Sequence, residues 1–379
     1  MVKVGKLELN IEDISKCYSC GKCTSVCPLS QISDFTPRLI AENWILNLNK
    51  DEIVKDVWNC LTCGSCVEVC PMNVNFPEFI RQARTEFLKQ GIGFEEAHFG
   101  IFSNIARLQI KENYTGKSRH ELYKGLKIKE KGDILYWTGC TPFFDIVLDR
   151  TYTNISINTV RILNYLNIEP VILKHEKCCG HDLLWNGDFE NFKKLAEYNI
   201  KEIEKTGAKI VITTCAEGYR TLKYDYPRLV KPINFEVISF SEFIDKKLKV
   251  KELEFPYEFP YKITYHDPCR LGRHMKVYEP PRDIIKSVPG IKYSEMPRNR
   301  ENSLCCGVSC WHCDILKKVI RMDRISEADE IAEILITTCP KCKIHFECLL
   351  DEKSEDLEKR YNIRIIDLST FIAKILFLI

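Results

Sequence analysis

Two stretches, CYSCGKCTSVCP and CLTCGSCVEVCP, repeat the spacing C-x2-C-x2-C-x3-C-P. Three thiolates this close together wrap one 4Fe–4S cube. The fourth, thrown outward by the turn before proline, reaches a neighbouring cube. Cys17, Cys20, Cys23 and Cys70 are therefore expected to hold one cubane cluster, and Cys60, Cys63, Cys66 and Cys27 a second. Zinc is the alternative for four sulfur ligands.

A different arrangement closes the chain. Cys269, Cys305, Cys306, Cys339 and Cys342 read C-x35-CC-x32-C-x2-C. Five thiolates exceed what a simple cube takes, and the side chains of adjacent cysteines diverge. The set suits an open or split cluster with a bridging thiolate, and Gly307 would let the backbone approach it closely. An earlier set is shorter by one: Cys140, Cys178, Cys179 and Cys215 are present, but Gly218 stands in the fifth place. It reads as a four-thiolate cluster with one iron open, with His175 and His181 near enough in sequence to assist. Zinc or a smaller cluster is a second reading, and a metal-free scaffold a third. The stretch CCGVSCWHCD adds Cys310 and Cys313 close to a helix start, where thiolate is favoured. They read as a redox-active pair or as small packing residues on a first helical turn, and Cys348 as packing.

Charge gathers around the complete set. HDPCRLGRH places His266, Arg270, Arg273 and His274 beside its first thiol, and MPRNREN adds Arg298 and Arg300. Such a rim would suit a disulfide bearing sulfonate, phosphate or carboxylate. Its other reading is compensation of cluster charge and partner docking. A histidine there could supply protons to leaving thiolates.

The rest of the composition bounds the answer. The formal net charge is +2, so no bulk basicity points to nucleic acid. No run of 18 apolar residues suggests a membrane span, and MVKVGKLELN lacks the apolar stretch of a secretory signal. A cytoplasmic setting is the expectation, with any membrane association going through a partner protein. Twenty cysteines there serve metals rather than disulfides, unless the protein is a disulfide-rich one from a hyperthermophile. No Gly-rich nucleotide loop is present, so a flavin or nicotinamide would belong to a partner.

Four landmarks recur at a nearly constant offset: DILYWTGC with KITYHDPC, EKCCG with SLCCG, AKIVITTC with AEILITTC, and VISFSEFI with IIDLSTFI. They mark a duplication. In each copy apolar strands (ILYWT, EPVIL, KIVITT in the first) alternate with amphipathic helices, which argues for parallel sheets with sites beyond the strand ends. Between Cys27 and Cys60 the spacing of apolar residues is helical, and PEFIRQARTEFLKQG opens with proline and ends with glycine. The expected fold is α+β and multi-domain. An all-helical two-cluster ferredoxin-like domain spans 1–95, and a connector 96–131. Two duplicated α/β domains with parallel sheets span 132–254 and 262–379. DLSTFIAKILFLI, interrupted by Lys374, is read as the closing helix of the second copy.

The cysteine spacings and this layout resemble the CCG-domain iron–sulfur proteins, the D-type subunits of heterodisulfide reductase above all, and also the glycolate oxidase iron–sulfur subunits. The resemblance covers nearly the whole chain. It implies a noncubane 4Fe–4S cluster on the five cysteines of the second copy, acting as the site that cleaves a coenzyme M–coenzyme B type disulfide. It also implies a flavoprotein, electron carrier or cytochrome b-type partner. The glycolate oxidase branch implies electron relay alone, serving an FAD-linked 2-hydroxyacid dehydrogenase.

Overall fold

The 32 residues between the two cysteine runs form two helices, Pro37–Ile45 and Lys50–Asn59. Pro37 starts the first, where its missing N–H is no loss. The Phe76–Lys89 helix follows the second run. The Asn75 side chain caps it, accepting from the Glu78 N–H at 3.3 Å. The computed structural model describes residues 14–48, 50–111, 114, 116–351 and 361–379, so the first 13 residues of the expected helical domain lie outside the described residues. Between Ile14 and Glu95 the described residues contain helices and turns and no strand. Among the described residues no helix is long and apolar enough to cross a membrane.

Two parallel sheets follow. β1 (Ile134–Trp137), β2 (Ile210–Thr213) and β3 (Glu236–Ser239) lie in that order. β4 (Lys262–His266), β5 (Lys292–Tyr293), β6 (Ile334–Thr337) and β7 (Arg364–Asp367) are ordered β5-β4-β6-β7. Apart from the two-residue β5, their middle residues are mostly apolar, because parallel strands are covered on both faces. The expected strand EPVIL is the exception. Only Val171 pairs there, by isolated parallel bridges to Leu135 and Lys129. Pro170 offers no N–H to a ladder, which keeps the segment from extending.

The two copies are interlocked. The Leu368–Ile375 helix of the second packs on the Thr153–Tyr165 helix of the first, and the Ser369 hydroxyl donates to the Ile155 carbonyl at 3.0 Å. Reciprocally, the Phe240–Lys249 helix of the first packs on the Glu279–Lys286 helix of the second. One apolar core therefore runs through both sheets, from Tyr136, Ile212 and Ile238 to Tyr265, Ile336 and Phe371. Local capping starts both exchanged helices. Ser239 and Glu242 form a reciprocal capping box, and the Asp367 carboxylate accepts from the Ser369 N–H at 2.8 Å.

The helical domain is fixed to this body by Arg84, which is fully buried. Its guanidinium donates to the carbonyls of Val57 (3.0 Å), Cys60 (2.7 Å) and, across the boundary, Trp185 (2.8 Å). Gly187 faces the same helix so closely that a Cβ there would lie 2.5 Å from the Thr85 nitrogen.

Candidate functional site

Each cysteine run turns its thiols into a small cavity. One cavity is lined by Cys17, Cys20, Cys23 and Cys70, together with Cys66; the other by Cys27, Cys60, Cys63 and Cys66. Each thus takes three thiols from one run and at least one from the other, with Cys66 bordering both. Backbone N–H groups of Thr62 and Val74 point at the sulfurs of Cys60 and Cys70, each at 3.4 Å. Burial pushes the Cys60 thiol up to about 12 and the Cys27 thiol up to about 11. Thiolates there need a bound cation, and an iron–sulfur cluster supplies one.

The strand ends supply the remaining thiols. Cys140, Cys215, Cys269 and Cys339 follow β1, β2, β4 and β6 within three residues, at the carboxyl edge of each sheet. Cys269, Cys305, Cys306, Cys342 and Cys339 interact in that order, each with the next, so the five thiols lie together. In the first copy the sulfurs of Cys140 and Cys178 are 3.7 Å apart, Cys179 adjoins Cys178, and Cys179 senses the charge of Cys215. Cys215 also interacts with Cys339, so the two sets adjoin. Their exposure differs. Cys305, Cys306, Cys339 and Cys342 are buried, whereas Cys140, Cys178 and Cys215 are half-buried.

Gly307 and Gly180 follow the two double cysteines with φ of +79° and +82°. At Gly307 the packing of the chain itself also requires glycine. A Cβ there would lie 2.6 Å from the Lys317 carbonyl oxygen, so the close neighbour is the next helix. Gly218 is different: a Cβ there would meet nothing nearer than 3.5 Å.

The expected basic rim is corrected. His266, Arg270 and Arg273 are buried, because protein groups claim them. His266 accepts from Arg324 Nε at 3.1 Å and meets Phe346 edge-on. Arg270 crosses to the helical domain, donating to the Thr62 carbonyl and hydroxyl, each at 2.8 Å, and stacks over Trp185. His274 is half-buried beside the Thr62 carbonyl at 3.1 Å. Arg273 donates through Nε to the Cys63 carbonyl at 2.8 Å and through Nη1 to Ser303. Its Nη2 is buried without a hydrogen-bond partner, and the guanidinium feels Cys63, Cys269 and Cys305. An orphaned cationic donor among these thiols fits an anionic cluster. Arg298 and Arg300 are partly exposed and pair with Glu327 and Glu279.

Cys310 and Cys313 do not sit on a helical turn, because the following helix begins at Ile315 with Asp314 as its cap. Cys310 is buried, which pushes its thiol up to about 12, against an activated thiolate; Cys313 is exposed. Cys348 is half-buried against the cluster of Phe102, Phe144 and Trp311. His175 is exposed. His181 is buried, with Nδ1 2.9 Å from the Thr221 hydroxyl and Nε2 3.6 Å from Glu217.

Sequence reasoning missed the charges between the two copies. Lys341 Nζ lies 2.6 Å from Asp182 and 2.9 Å from Glu217, and Trp311 Nε1 donates to Asp182 at 3.0 Å. Burial, together with repulsion from Asp182, raises the Glu217 carboxyl, while Lys341 pulls it back. The two carboxylates hold Lys341 protonated despite its burial. His181, Asp182 and Glu217 come near enough to suggest a metal site, but the Lys341 ammonium bonds to both carboxylates. A signal was present: Glu217 and Lys341 occupy matched positions in the repeated phrases TTCAEG and TTCPKC.

Comparison with known proteins gives the same layout. The 4Fe-4S dicluster domain family matches residues 13–74, and the cysteine-rich CCG domain family matches 134–223 and 263–347. The chain is 31% identical over 386 residues to the D-type subunit of the dihydromethanophenazine:CoB–CoM heterodisulfide reductase of Methanosarcina acetivorans, covering 92% of each. It is 31% identical over 222 residues to the EtfAB:quinone oxidoreductase of Syntrophomonas wolfei, covering 55% of this chain and 30% of that one. A crystal structure of a hypothetical protein from Helicobacter pylori shares the fold, with a TM-score of 0.62 at 11% identity over 92% of this chain and 71% of that one. The chain is an iron–sulfur oxidoreductase component, and it belongs to the family of D-type heterodisulfide reductase subunits.

Proposed function

We propose that this chain delivers electrons to the disulfide of a small thiol compound, of the coenzyme M–coenzyme B type. Cys17, Cys20, Cys23 and Cys70 would hold one cubane cluster, and Cys60, Cys63, Cys66 and Cys27 the other. Cys269, Cys305, Cys306, Cys339 and Cys342 would hold a noncubane cluster. Bound clusters would carry electrons singly from a partner to the substrate. Cys140, Cys178, Cys179 and Cys215 would hold a further metal centre, with one position open where Gly218 replaces a thiol.

The residues divide the work by position. Cys20 is exposed, and Tyr18 and Met72, which line the same cavity, leave apolar surface near it, which supports entry from a partner there. The observation that carries the reading is Arg273. It ties the Cys63 carbonyl to the Ser303 carbonyl just before the double cysteine, its Nη2 is left unpartnered, and its guanidinium interacts electrostatically with Cys63, Cys269 and Cys305. A fixed cation there holds the second ferredoxin-type site against the five-thiol set and offsets its negative charge. The burial of four of those five thiols keeps water away from them.

A second reading, electron relay without substrate chemistry here, is favoured by that same burial. Anaerobic EPR of the oxidised, fully iron-loaded protein separates the two. A new paramagnetic signal on adding 2-mercaptoethanesulfonate is expected for disulfide chemistry. An unchanged spectrum with every thiol tried, at full iron content, leaves relay.

A further inference from the structure

Three arginines cross the boundary between the helical domain and the body, and each meets the loop that carries Cys60 and Cys63. Arg84 binds the carbonyls of Val57 and Cys60 on its own side and donates across to the Trp185 carbonyl at 2.8 Å. Arg270 comes from the other side, donating to the Thr62 carbonyl and hydroxyl, each at 2.8 Å. Those two bonds hold Thr62 at a φ of +48°, a region that a β-branched residue otherwise avoids. Arg273 reaches the Cys63 carbonyl at 2.8 Å. Arg84, Arg270 and Arg273 are 0%, 3% and 4% exposed.

Among the described residues none of the three pairs with a carboxylate. Their partners are carbonyls, the Thr62 hydroxyl and, for Arg270, the rings of His181 at 3.3 Å and His274 at 3.0 Å. Burial and the Arg270 charge hold His274 neutral. Asp225 feels Arg270 but is itself bonded to Arg220 at 3.0 Å. The groups able to supply negative charge are thiols: Cys310 and Cys60 for Arg84, and Cys63, Cys269 and Cys305 for Arg273. Buried cations without counter-charge are costly to hold.

The matching loop of the first run is built differently. Ser19 stands in CYSC where Thr62 stands in CLTC, and it too is left-handed, with a φ of +62°. It also accepts from an arginine, Arg38, at 3.1 Å. Arg38, however, is partly exposed and pairs with Glu42 at 3.0 Å on its own helix. Its charge is met without any cluster.

On the reading that Cys27, Cys60, Cys63 and Cys66 hold a cubane cluster, we propose that docking of the helical domain on the body is conditional on the filling of that site. Thiolates gathered there supply the negative charge that the three guanidiniums otherwise lack, so filling closes the boundary and emptying opens it. By linkage, a docked body holds that cluster more tightly. The site of Cys17, Cys20, Cys23 and Cys70 takes no part.

Small-angle X-ray scattering and hydrogen exchange on the full chain, kept anaerobic, test this. The turn at Gly187, which packs on Thr85, is expected to be protected in the loaded protein. A Cys60→Ser/Cys63→Ser variant should become less compact and exchange at that turn at least about tenfold faster, with the helical circular dichroism kept. A Cys17→Ser/Cys20→Ser variant should stay docked. Charge is isolated at Arg84. Under an iron chelator Arg84→Met should lose the second cluster at least about tenfold faster than the wild type and the first at the wild-type rate, and Arg84→Lys should fall nearer the wild type. Equal losses from the Lys and Met variants overturn the proposal, as does undocking by the Cys17→Ser/Cys20→Ser variant. Iron content and EPR separate the two levels. A wild type with no cluster on Cys60 and Cys63 ends that reading and the proposal with it, whereas a cluster that forms without altering compactness or exchange overturns the proposal alone.

Discussion

At the scale of single residues, Arg273 and Gly218 make opposite statements about their surroundings. Arg273 is a buried cation with a donor left over, and it faces Cys269, whose thiol the contact with Cys305 and burial push towards neutrality. Arg273→Met keeps the volume and removes the charge. It is expected to leave the fold in place, lower the reduction potential of the five-thiol centre in a redox titration, and slow its reduction by dithionite-reduced ferredoxin-type sites. An unchanged potential would make Arg273 a strut between domains and nothing more. Gly218 has room. A Cβ there stands 3.5 Å from Cys215 Cβ and 4.0 Å from its sulfur, and the backbone is not in the left-handed region. Gly218→Cys should therefore fold with a stability change within about 1 kcal/mol. It should close the open position, read as loss of any thiol-induced EPR signal from that centre. A variant that still responds to thiols as the wild type does would place the response elsewhere.

At the scale of elements, the exchanged helices bear most directly on stability. Phe371 is fully buried in the core shared by both sheets. Phe371→Ala should cost about 3–5 kcal/mol by removing a buried aromatic from close packing. Thermal or urea unfolding should still show one transition, because no core belongs to one copy alone. Two separated transitions would contradict the shared core. The strands, the amphipathic helices and the strand-end cysteines were legible in the sequence because period and composition report local geometry directly. EPVIL misled because its apolar character is that of a strand while Pro170 withholds the donor. The rim misled for a similar reason. Arg270 and Arg273 lie beside a candidate ligand in sequence, but their partners are carbonyls of Thr62 and Cys63, some 200 residues earlier. Only the packing of the helical domain decides which way such long side chains turn. The Glu217–Lys341 pair needed the two copies to be superposed as well as recognised, since each residue alone looks like an ordinary surface charge.

At the scale of the whole molecule, two of the contacts that hold the helical domain in place each make a prediction. Arg84→Met leaves the carbonyls of Val57, Cys60 and Trp185 without their shared buried donor. It is expected to cost about 3–5 kcal/mol and to loosen the domain boundary, read as faster proteolysis there. Intact protection would show that Gly187 and its neighbours suffice. Glu78 joins Arg81 on its own helix and Arg228 of the first copy, at 3.0 Å. Burial alone would raise its carboxyl, but the bonds and charges of Arg81 and Arg228 bring it down to about 2 from the ordinary 4.5. A carboxyl lowered in the folded state adds stability that is fully present above pH 4.5 and is lost as pH falls towards 2. Wild type should exceed Glu78→Gln by a few kcal/mol in urea unfolding at pH 7, and that gap should narrow steadily below pH 4.5. A gap independent of pH would mean the glutamate acts through packing alone.

The swap of terminal helices between the copies has a consequence for how such a protein can change over generations. Neither copy can be discarded, since each carries a piece the other needs for its own shape. Yet the shape is upheld by Phe371, Ile244 and their apolar neighbours, and the thiols lie apart from that scaffold at the strand tips. A lineage is thus obliged to keep both frames, whereas the strand-tip positions, Gly218 among them, lie outside that obligation and are open to change.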